Sequence, residues 1–155
     1  MIKLEKGDKA PDFTGTDDQG NVVKLKDFKG KKLILFFYPK DNTPGCTAEA
    51  CNLQENYEYW HDQGYSILGI SPDSVESHRK FKAKFNFKYM LISDPEKEIM
   101  KTYGTYGPKM MYGKEVTGVL RTTFIVDESG IINHIFKKVD TKNHSEQIIK
   151  SLKLN

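Results

Sequence analysis

The chain has 155 residues, a net charge of +3 and an apolar fraction of 37%, which together predict one folded domain over residues 1–155. Its longest apolar run, 33–38, is too short to cross a bilayer, and the first residues have no signal-peptide pattern, so we expect no membrane association and a cytoplasmic location. Lysines outnumber arginines so strongly among its 24 cationic residues that nucleic acid is not expected as a partner.

Apolar runs, turn residues and capping residues divide the chain into alternating strands and helices. In chain order, the sequence predicts a hairpin of strands 13–16 and 22–25, strand 33–37, helix 44–61, strand 65–70, helix 73–85, strand 89–92, helix 95–103, loop 104–118, strands 119–126 and 131–136, and helix 142–152.

The order of elements after the first hairpin is β-α-β-α-β-α-β-β-α, which is typical of α/β domains with a largely parallel sheet. We therefore expect a thioredoxin-like fold with a central five-stranded mixed sheet, helices on both faces and an added N-terminal hairpin. This fold supports several chemistries, so the function has to be argued from individual residues.

The residues of chemical interest follow strand 33–37, at the carboxyl end where sites of open α/β sheets lie. Thr43 is a good N-cap and Pro44 a good first helical residue, which makes Cys46 the third residue of the helix. A thiolate there is stabilised by the unpaired N–H groups and the helix dipole, and Gly45 leaves room for a small substrate. We therefore interpret Cys46 as a nucleophile rather than as a small core residue.

The remaining polar residues give weaker indications. Cys51 stands five positions after the first cysteine, which excludes the C-x-x-C spacing, and no cluster completes a zinc site. Lys40 and Asp41 are interpreted as solvated loop residues, while Glu49 either accepts a hydrogen bond from an active-site arginine or favours the first helical turns. Without ligand spacing, four histidines are interpreted as surface or structural residues: His61, His78, His134 and His144.

The stretch Pro39-x-x-x-Thr43-x-x-Cys46 matches the Pro-x-x-x-Thr-x-x-Cys signature, and on it the chain resembles the peroxiredoxins. A second cysteine five residues later is similar to the peroxiredoxin Q subfamily, also called bacterioferritin comigratory protein. Further matches at 9–13, 69–71 and 121–130 extend the resemblance over nearly the whole chain. It implies a thiol peroxidase for hydrogen peroxide and organic hydroperoxides that uses no metal or organic cofactor and is recycled by thioredoxin.

The same resemblance implies a role for each matching residue. Cys46 would be the peroxidatic cysteine, and Cys51 would resolve its sulfenic acid as an intramolecular disulfide. Thr43 would hydrogen-bond the peroxide, Pro39 would shield the site from water, and Arg121 would hold the thiolate and the polarised peroxide. An internal resolving cysteine favours a monomer, with a weak homodimer as the alternative.

Two other functions stay open at this point. A thiol–disulfide oxidoreductase can share the fold, although such enzymes use C-x-x-C. A non-catalytic binding module predicts no activated thiol. The segment Met110–Tyr112 forms a patch for substrate or a second subunit, or folds onto its own domain.

Overall fold

One seven-stranded sheet forms the centre of the molecule, which the computed structural model describes over residues 3–154. The predicted domain 1–155 thus includes positions 1, 2 and 155, which lie outside the described residues. The strands and helices are β1 (Thr14–Asp17), β2 (Val22–Lys24), β3 (Lys32–Phe37), α1 (Pro44–Glu55), α2 (Tyr57–Asp62), β4 (Tyr65–Ser71), α3 (Val75–Phe85), β5 (Met90–Ser93), α4 (Glu98–Tyr103), β6 (Tyr106–Met111), β7 (Lys114–Val119), β8 (Thr122–Val126), β9 (Ile132–Phe136) and α5 (His144–Leu152).

The strand order across the sheet is β2-β1-β5-β4-β3-β8-β9. The pairs β3–β4 and β4–β5 are parallel, whereas β8 pairs antiparallel with β3 and β9 with β8. The predicted thioredoxin-like α/β class is confirmed, with a correction to the sheet. The N-terminal hairpin is not a separate addition, because β1 pairs with β5 and brings the sheet from five strands to seven over residues 3–154.

Helices cover both faces of the sheet, as predicted. Along β3, Leu33, Leu35 and Phe37 face a core that includes α4. The alternate residues Ile34 and Phe36 face the other core, to which α1, α2, α3 and α5 contribute buried side chains. This alternation buries the side chains of β3 from Leu33 to Phe37.

The segment predicted as a loop, 104–118, contains the antiparallel hairpin of β6 and β7, which forms a two-stranded sheet of its own. Tyr112 and Gly113 make the turn with φ of 54° and 77°, a two-residue reversal that requires positive φ. The sequence gives little sign of it, because most side chains in both strands are exposed and show no alternation.

The predicted strand 119–126 is also divided. β7 ends at Val119 and β8 begins at Thr122, and the two strands belong to different sheets. Arg121 therefore lies in a short connection rather than inside a strand.

The predicted helix 44–61 is interrupted at Asn56, between α1 and α2. The Asn56 side chain donates to the Asn52 carbonyl at 2.9 Å, and such local side-chain bonds compete with regular helix geometry. α4 begins later than predicted because the Asp94 carboxylate accepts from the N–H groups of Ile99 and Met100, at 3.3 and 3.0 Å.

The last helix, α5, is attached to α1 through Asn52. The Asn52 Oδ1 accepts from the Ser145 N–H at 2.6 Å, and its Nδ2 donates to the Lys142 carbonyl at 3.1 Å. The indole N–H of Trp60 in α2 donates to the Ser145 hydroxyl at 3.0 Å. A side chain of α1 thus caps the first turn of α5, a role normally filled from within the helix.

Within residues 3–154, none of the helices combines the length and the apolar composition that a bilayer span requires.

Candidate active site

Cys46 lies where the sequence predicts it, at the third position of α1. Thr43 has the extended backbone of an N-cap and Pro44 is the first helical residue. The thiol is free and 1% exposed, packed into the core on the α1 face of the sheet. Position and burial together place this sulfur at the positive end of the helix.

The Thr43 side chain does not cap the helix that it precedes. Its hydroxyl donates to the Lys40 carbonyl at 2.8 Å, and α1 has no side-chain cap at this end. The first-turn N–H groups are therefore left for other acceptors, which is the arrangement that binds anions at helix N-termini.

Arg121 joins the thiol to a buried carboxylate. Its Nη2 donates to the Cys46 Sγ at 3.4 Å and its Nη1 donates to the Glu49 Oε1 at 2.8 Å. Burial opposes the cation, but Glu49 and Cys46 outweigh that effect and raise the pKa of Arg121. The arginine is therefore a fixed positive charge beside the sulfur.

Gly45 is the position that allows this approach. A Cβ atom built on Gly45 would lie 3.3 Å from the Arg121 Nη2. The glycine thus accommodates the guanidinium directly, whereas the sequence suggested only room for a substrate.

Glu49 is fully buried, and of its two predicted roles the structure supports the hydrogen bond to arginine. Burial raises the pKa of Glu49 to about 7, against the opposing effect of Arg121. Its second oxygen, Oε2, has no hydrogen-bond partner among the described residues and lies 3.7 Å from the His144 Nε2. This carboxylate carries an unusually high proton affinity next to the thiol's arginine.

His144 is a buried neutral imidazole. The Gln147 Nε2 donates to the Lys138 carbonyl at 2.8 Å, so the Gln147 Oε1 is the acceptor that faces the His144 Nδ1 at 2.9 Å. His144 therefore carries its proton on Nδ1, and its Nε2 accepts from the Thr123 hydroxyl at 2.8 Å. Burial lowers the pKa of His144 to about 4. The predicted structural role holds, at a place next to Glu49 that the sequence did not indicate.

Asp41 is not the solvated loop residue that the sequence suggested, since it is buried among polar partners. Its Oδ1 accepts from the Tyr38 hydroxyl at 2.6 Å, and its Oδ2 accepts from the Ser77 hydroxyl at 2.8 Å. The Oδ2 also lies 2.7 Å from the Nδ1 of His78, another fully buried histidine. Two of these partners come from α3, far along the chain, which is why local sequence gave no sign of the cluster.

Cys51 lies half-buried further along α1 and is not bonded to Cys46. Burial raises the pKa of Cys51, and the negative charge of Glu55 adds to the effect. Pro39 lies half-buried between β3 and α1. The structure therefore brings Cys46, Arg121 and Glu49 into contact, with Thr43 and Pro39 in the preceding loop and Cys51 outside this cluster.

The apolar segment of the β6–β7 hairpin does not fold onto its own domain, contrary to one of the sequence interpretations. Met110 is 68% exposed and Tyr112 is 98% exposed at the tip. The patch is open to solvent.

Residues 6–135 match the model of the AhpC/TSA family. Curated relatives align with almost the full chain. The peroxiredoxin Bcp of Bacillus subtilis is 41% identical over 98% of this chain and 97% of its own length. A putative peroxiredoxin Bcp of Coxiella burnetii is 42% identical over 97% of this chain and all of its own.

Solved structures give the same result. A cysteine-to-serine mutant of Xylella fastidiosa PrxQ superposes with a TM-score of 0.90 at 29% identity, over 99% of this chain and 98% of that one. The bacterioferritin comigratory protein of Xanthomonas campestris, solved in trapped intermediate and ligand complexes for its alkyl peroxide reduction activity, gives 0.86 at 33% identity with the same coverage.

Proposed function

Because the chain belongs to the AhpC/TSA family, as a peroxidase of the peroxiredoxin Bcp and PrxQ kind, we propose that Cys46 is its peroxidatic cysteine. Such an enzyme takes a peroxide as substrate and a thiol as reductant. The observation that carries the assignment is the 3.4 Å contact between the Arg121 Nη2 and the Cys46 Sγ at the start of α1. The other thiol, Cys51, has a pKa raised by burial.

In the proposed first step, the Cys46 thiolate attacks one peroxide oxygen and the O–O bond breaks. The sulfur becomes a sulfenic acid, oxidised by two electrons, and the leaving oxygen takes a proton to become water or an alcohol. Negative charge builds up on that leaving oxygen. Arg121 and the free N–H groups of the first turn are the donors available to stabilise it.

Pro39 and Thr43 have supporting roles in this proposal. Pro39 has no N–H and lies half-buried next to the buried Tyr38, so it keeps bulk water from the thiolate. Thr43 already donates to the Lys40 carbonyl, so its hydroxyl oxygen is oriented to accept a hydrogen bond from a bound hydroperoxide.

In the proposed second step, the Cys51 sulfur displaces the hydroxyl of the sulfenic acid as water and forms a disulfide with Cys46. Both residues lie on α1 in the reduced protein. Five helical residues separate their Cα atoms by about 8.6 Å, whereas a disulfide needs about 4.4–6.8 Å. The first part of α1 must therefore unwind after oxidation, and Gly45 lowers the helical stability where unwinding begins.

We assign the reduction of this disulfide to thioredoxin, in the cytoplasm, with the chain acting as a monomer. Unwinding exposes the disulfide to an attacking thiolate, so one motion serves both resolution and recycling. NADPH oxidation coupled through thioredoxin reductase should proceed with thioredoxin and not with glutathione alone. Sedimentation at micromolar concentration should give one chain per particle.

Two cysteine variants test the order of events. Cys46→Ser should abolish peroxide consumption, whereas Cys51→Ser should complete one turnover and gain about 16 Da as a sulfenic acid. A sulfenate on Cys51 of the Cys46→Ser protein would reverse the two roles.

Hydrogen exchange tests the unwinding separately. Amides 45–52 should lose protection in the oxidised protein and regain it on reduction, with α3 as the internal control. Equal protection in both states, with the disulfide confirmed by mass spectrometry, would refute the conformational step while leaving the chemistry intact.

A further inference from the structure

We propose that His78 is a positioning residue of the peroxidase, acting as a buried imidazolium cation that holds Asp41 and so fixes loop 39–43. That loop carries Pro39 and Thr43, so the inference rests on the roles proposed for these two residues. His78 is fully buried on α3, and its two ring nitrogens face Asp41 and the Ile92 carbonyl rather than Cys46 or Arg121.

The charge of His78 follows from its hydrogen-bond partners. Its Nε2 lies 3.0 Å from the carbonyl oxygen of Ile92. A carbonyl oxygen only accepts, so Nε2 must carry a proton. Its Nδ1 lies 2.7 Å from the Asp41 Oδ2, a distance that requires a second proton between the two atoms.

The other partners of Asp41 place that second proton on the histidine. The Asp41 carboxylate also receives the Tyr38 hydroxyl at 2.6 Å and the Ser77 hydroxyl at 2.8 Å. Donors directed at a carboxylate favour its ionised form. Burial and the charge of Asp41 raise the pKa of Tyr38 far above its usual value, so this phenol keeps the proton that it donates. The pair is thus a buried imidazolium and carboxylate, in which both ring nitrogens and both carboxylate oxygens have hydrogen-bond partners.

The backbone of Asp41 is anchored as firmly as its side chain. Its N–H donates to the Asp73 Oδ2 at 2.8 Å, and the Ser71 hydroxyl donates to the same oxygen at 2.6 Å. Asp41 is therefore fixed by Asp73, in the connection between β4 and α3, and by α3 itself, two residues after Pro39 and two before Thr43. Because the Thr43 hydroxyl donates to the neighbouring Lys40 carbonyl, its direction depends on this anchor.

The anchor also lies directly upstream of the helix proposed to unwind. A loop held by α3 stays in place while residues from Gly45 onward leave the helix, so reduction returns α1 to the same register. Without the donor at the His78 Nδ1, Asp41 would lose its hydrogen bond to the buried ring, and an error of about 1 Å in the position of a reacting group can cost about 10²-fold in rate.

A cation site is the competing interpretation of this cluster, because ligand atoms of Asp41, Asp73 and His78 lie within 4.8 Å of one another. Metal binding would require the lone pair of the His78 Nδ1. The hydrogen bond to Asp41 places a proton on the Nδ1, so an imidazolium and a metal ligand at His78 exclude each other.

Two substitutions of His78 separate positioning from mere packing. Asn has its amide where Nδ1 lies and can still donate to Asp41. Gln reaches toward the Ile92 carbonyl instead and removes the hydrogen bond that position 78 gives to Asp41. We expect kcat/KM for hydrogen peroxide to fall about 10- to 100-fold in His78→Gln and less than about threefold in His78→Asn. Urea unfolding of both variants provides the stability control. Equal rate losses in the two, or a wild-type rate in His78→Gln, would overturn the proposal.

Nitrogen NMR of the His78 ring gives a measurement independent of activity. In the Cys46→Ser protein, both ring nitrogens should carry a proton at neutral pH, and added Zn²⁺ should leave their signals unchanged. A neutral ring, or a zinc-shifted Nδ1 signal, would refute the imidazolium. Failure of the proposed function would look different, since it would appear as peroxide turnover in the Cys46→Ser protein.

Discussion

Two buried carboxylate–histidine pairs flank the start of α1, and their hydrogen bonds differ. Asp41 and His78 lie 2.7 Å apart, within hydrogen-bond distance. Glu49 and His144 lie 3.7 Å apart with no hydrogen bond between them. All four side chains are almost completely buried, so burial alone cannot account for the difference.

The remaining ring nitrogen decides the charge of each histidine. In His78 it faces a carbonyl oxygen, so the ring needs both protons and becomes the counterion of Asp41. In His144 the two nitrogens face one acceptor and one hydroxyl, which a neutral ring satisfies. Glu49 therefore takes its counterion from Arg121. The Asp41–His78 pair contains both a cation and an anion, and it fixes loop 39–43. In the other pair, Glu49 has Arg121 as its counterion and shares that cation with the Cys46 thiol.

Removing a carboxylate should cost more stability at the Asp41–His78 pair than at the Glu49–His144 pair. Asp41→Ala leaves a buried His78 without its counterion, and we expect it to lower the free energy of unfolding by about 3–5 kcal/mol. Glu49→Ala should cost less, because the arginine it leaves is 24% exposed and reaches water. Urea denaturation of the two variants measures the contrast, and equal losses would contradict it.

Arg121→Lys should have the next largest effect, on rate rather than on stability. Lysine offers a point charge and cannot hold the thiol and Glu49 together as the guanidinium does. We expect the rate constant of Cys46 with hydrogen peroxide to fall by about 10²–10³. Stopped-flow fluorescence measures it, and a rate within about threefold of the wild type, at unchanged stability, would remove Arg121 from the site.

The pH dependence of stability should distinguish the contributions of Glu49 and His144. The pKa of Glu49 rises from 4.5 to about 7 on folding, so its contribution to stability is present below pH 4.5 and is lost as the pH rises toward 7. The pKa of His144 falls from 6.5 to about 4, so its contribution is present above pH 6.5 and is lost as the pH falls toward 4. The two dependences offset each other in the wild type.

Glu49→Gln should expose the histidine dependence alone. Relative to the wild type, its free energy of unfolding should rise by about 2–3 kcal/mol between pH 4 and pH 7, given about 1.4 kcal/mol for each pKa unit. Urea titrations at a series of pH values test this. Parallel curves for the two proteins would show that Glu49 does not titrate in this range.

The smallest effect concerns the thiol itself. At pH 8, Glu49→Gln removes the carboxylate charge that faces the Arg121 Nη1. The positive charge of Arg121 is then less compensated and stabilises the Cys46 thiolate more strongly. Alkylation of Cys46 by iodoacetamide should become faster, by less than about tenfold. Because His144 is neutral, His144→Asn is the matched control and should leave the alkylation rate nearly unchanged, while a slower reaction in Glu49→Gln would contradict the argument.

Local signals predicted the parts of the site that local interactions build. The N-cap, the proline and the position of Cys46 follow from neighbouring residues, and the order of strands and helices follows from apolar runs. The site role of Arg121 was predicted from the family resemblance, because its partners lie on α1, far away in sequence. The two buried pairs were missed for the same reason, and the β6–β7 hairpin was missed because its exposed strands have no apolar alternation.

The attachment of α5 to α1 makes the chain its own optical reporter. Asn52 lies in the segment proposed to unwind, and its Oδ1 accepts a hydrogen bond from the Ser145 N–H. The hydroxyl of the same serine accepts from the Trp60 indole N–H. Trp60 is the only tryptophan in the sequence, so all tryptophan emission comes from this junction. Each catalytic cycle should then appear as a fall and recovery of intrinsic fluorescence, and an Asn52→Ala protein should lose the coupling between that signal and the oxidation state of Cys46.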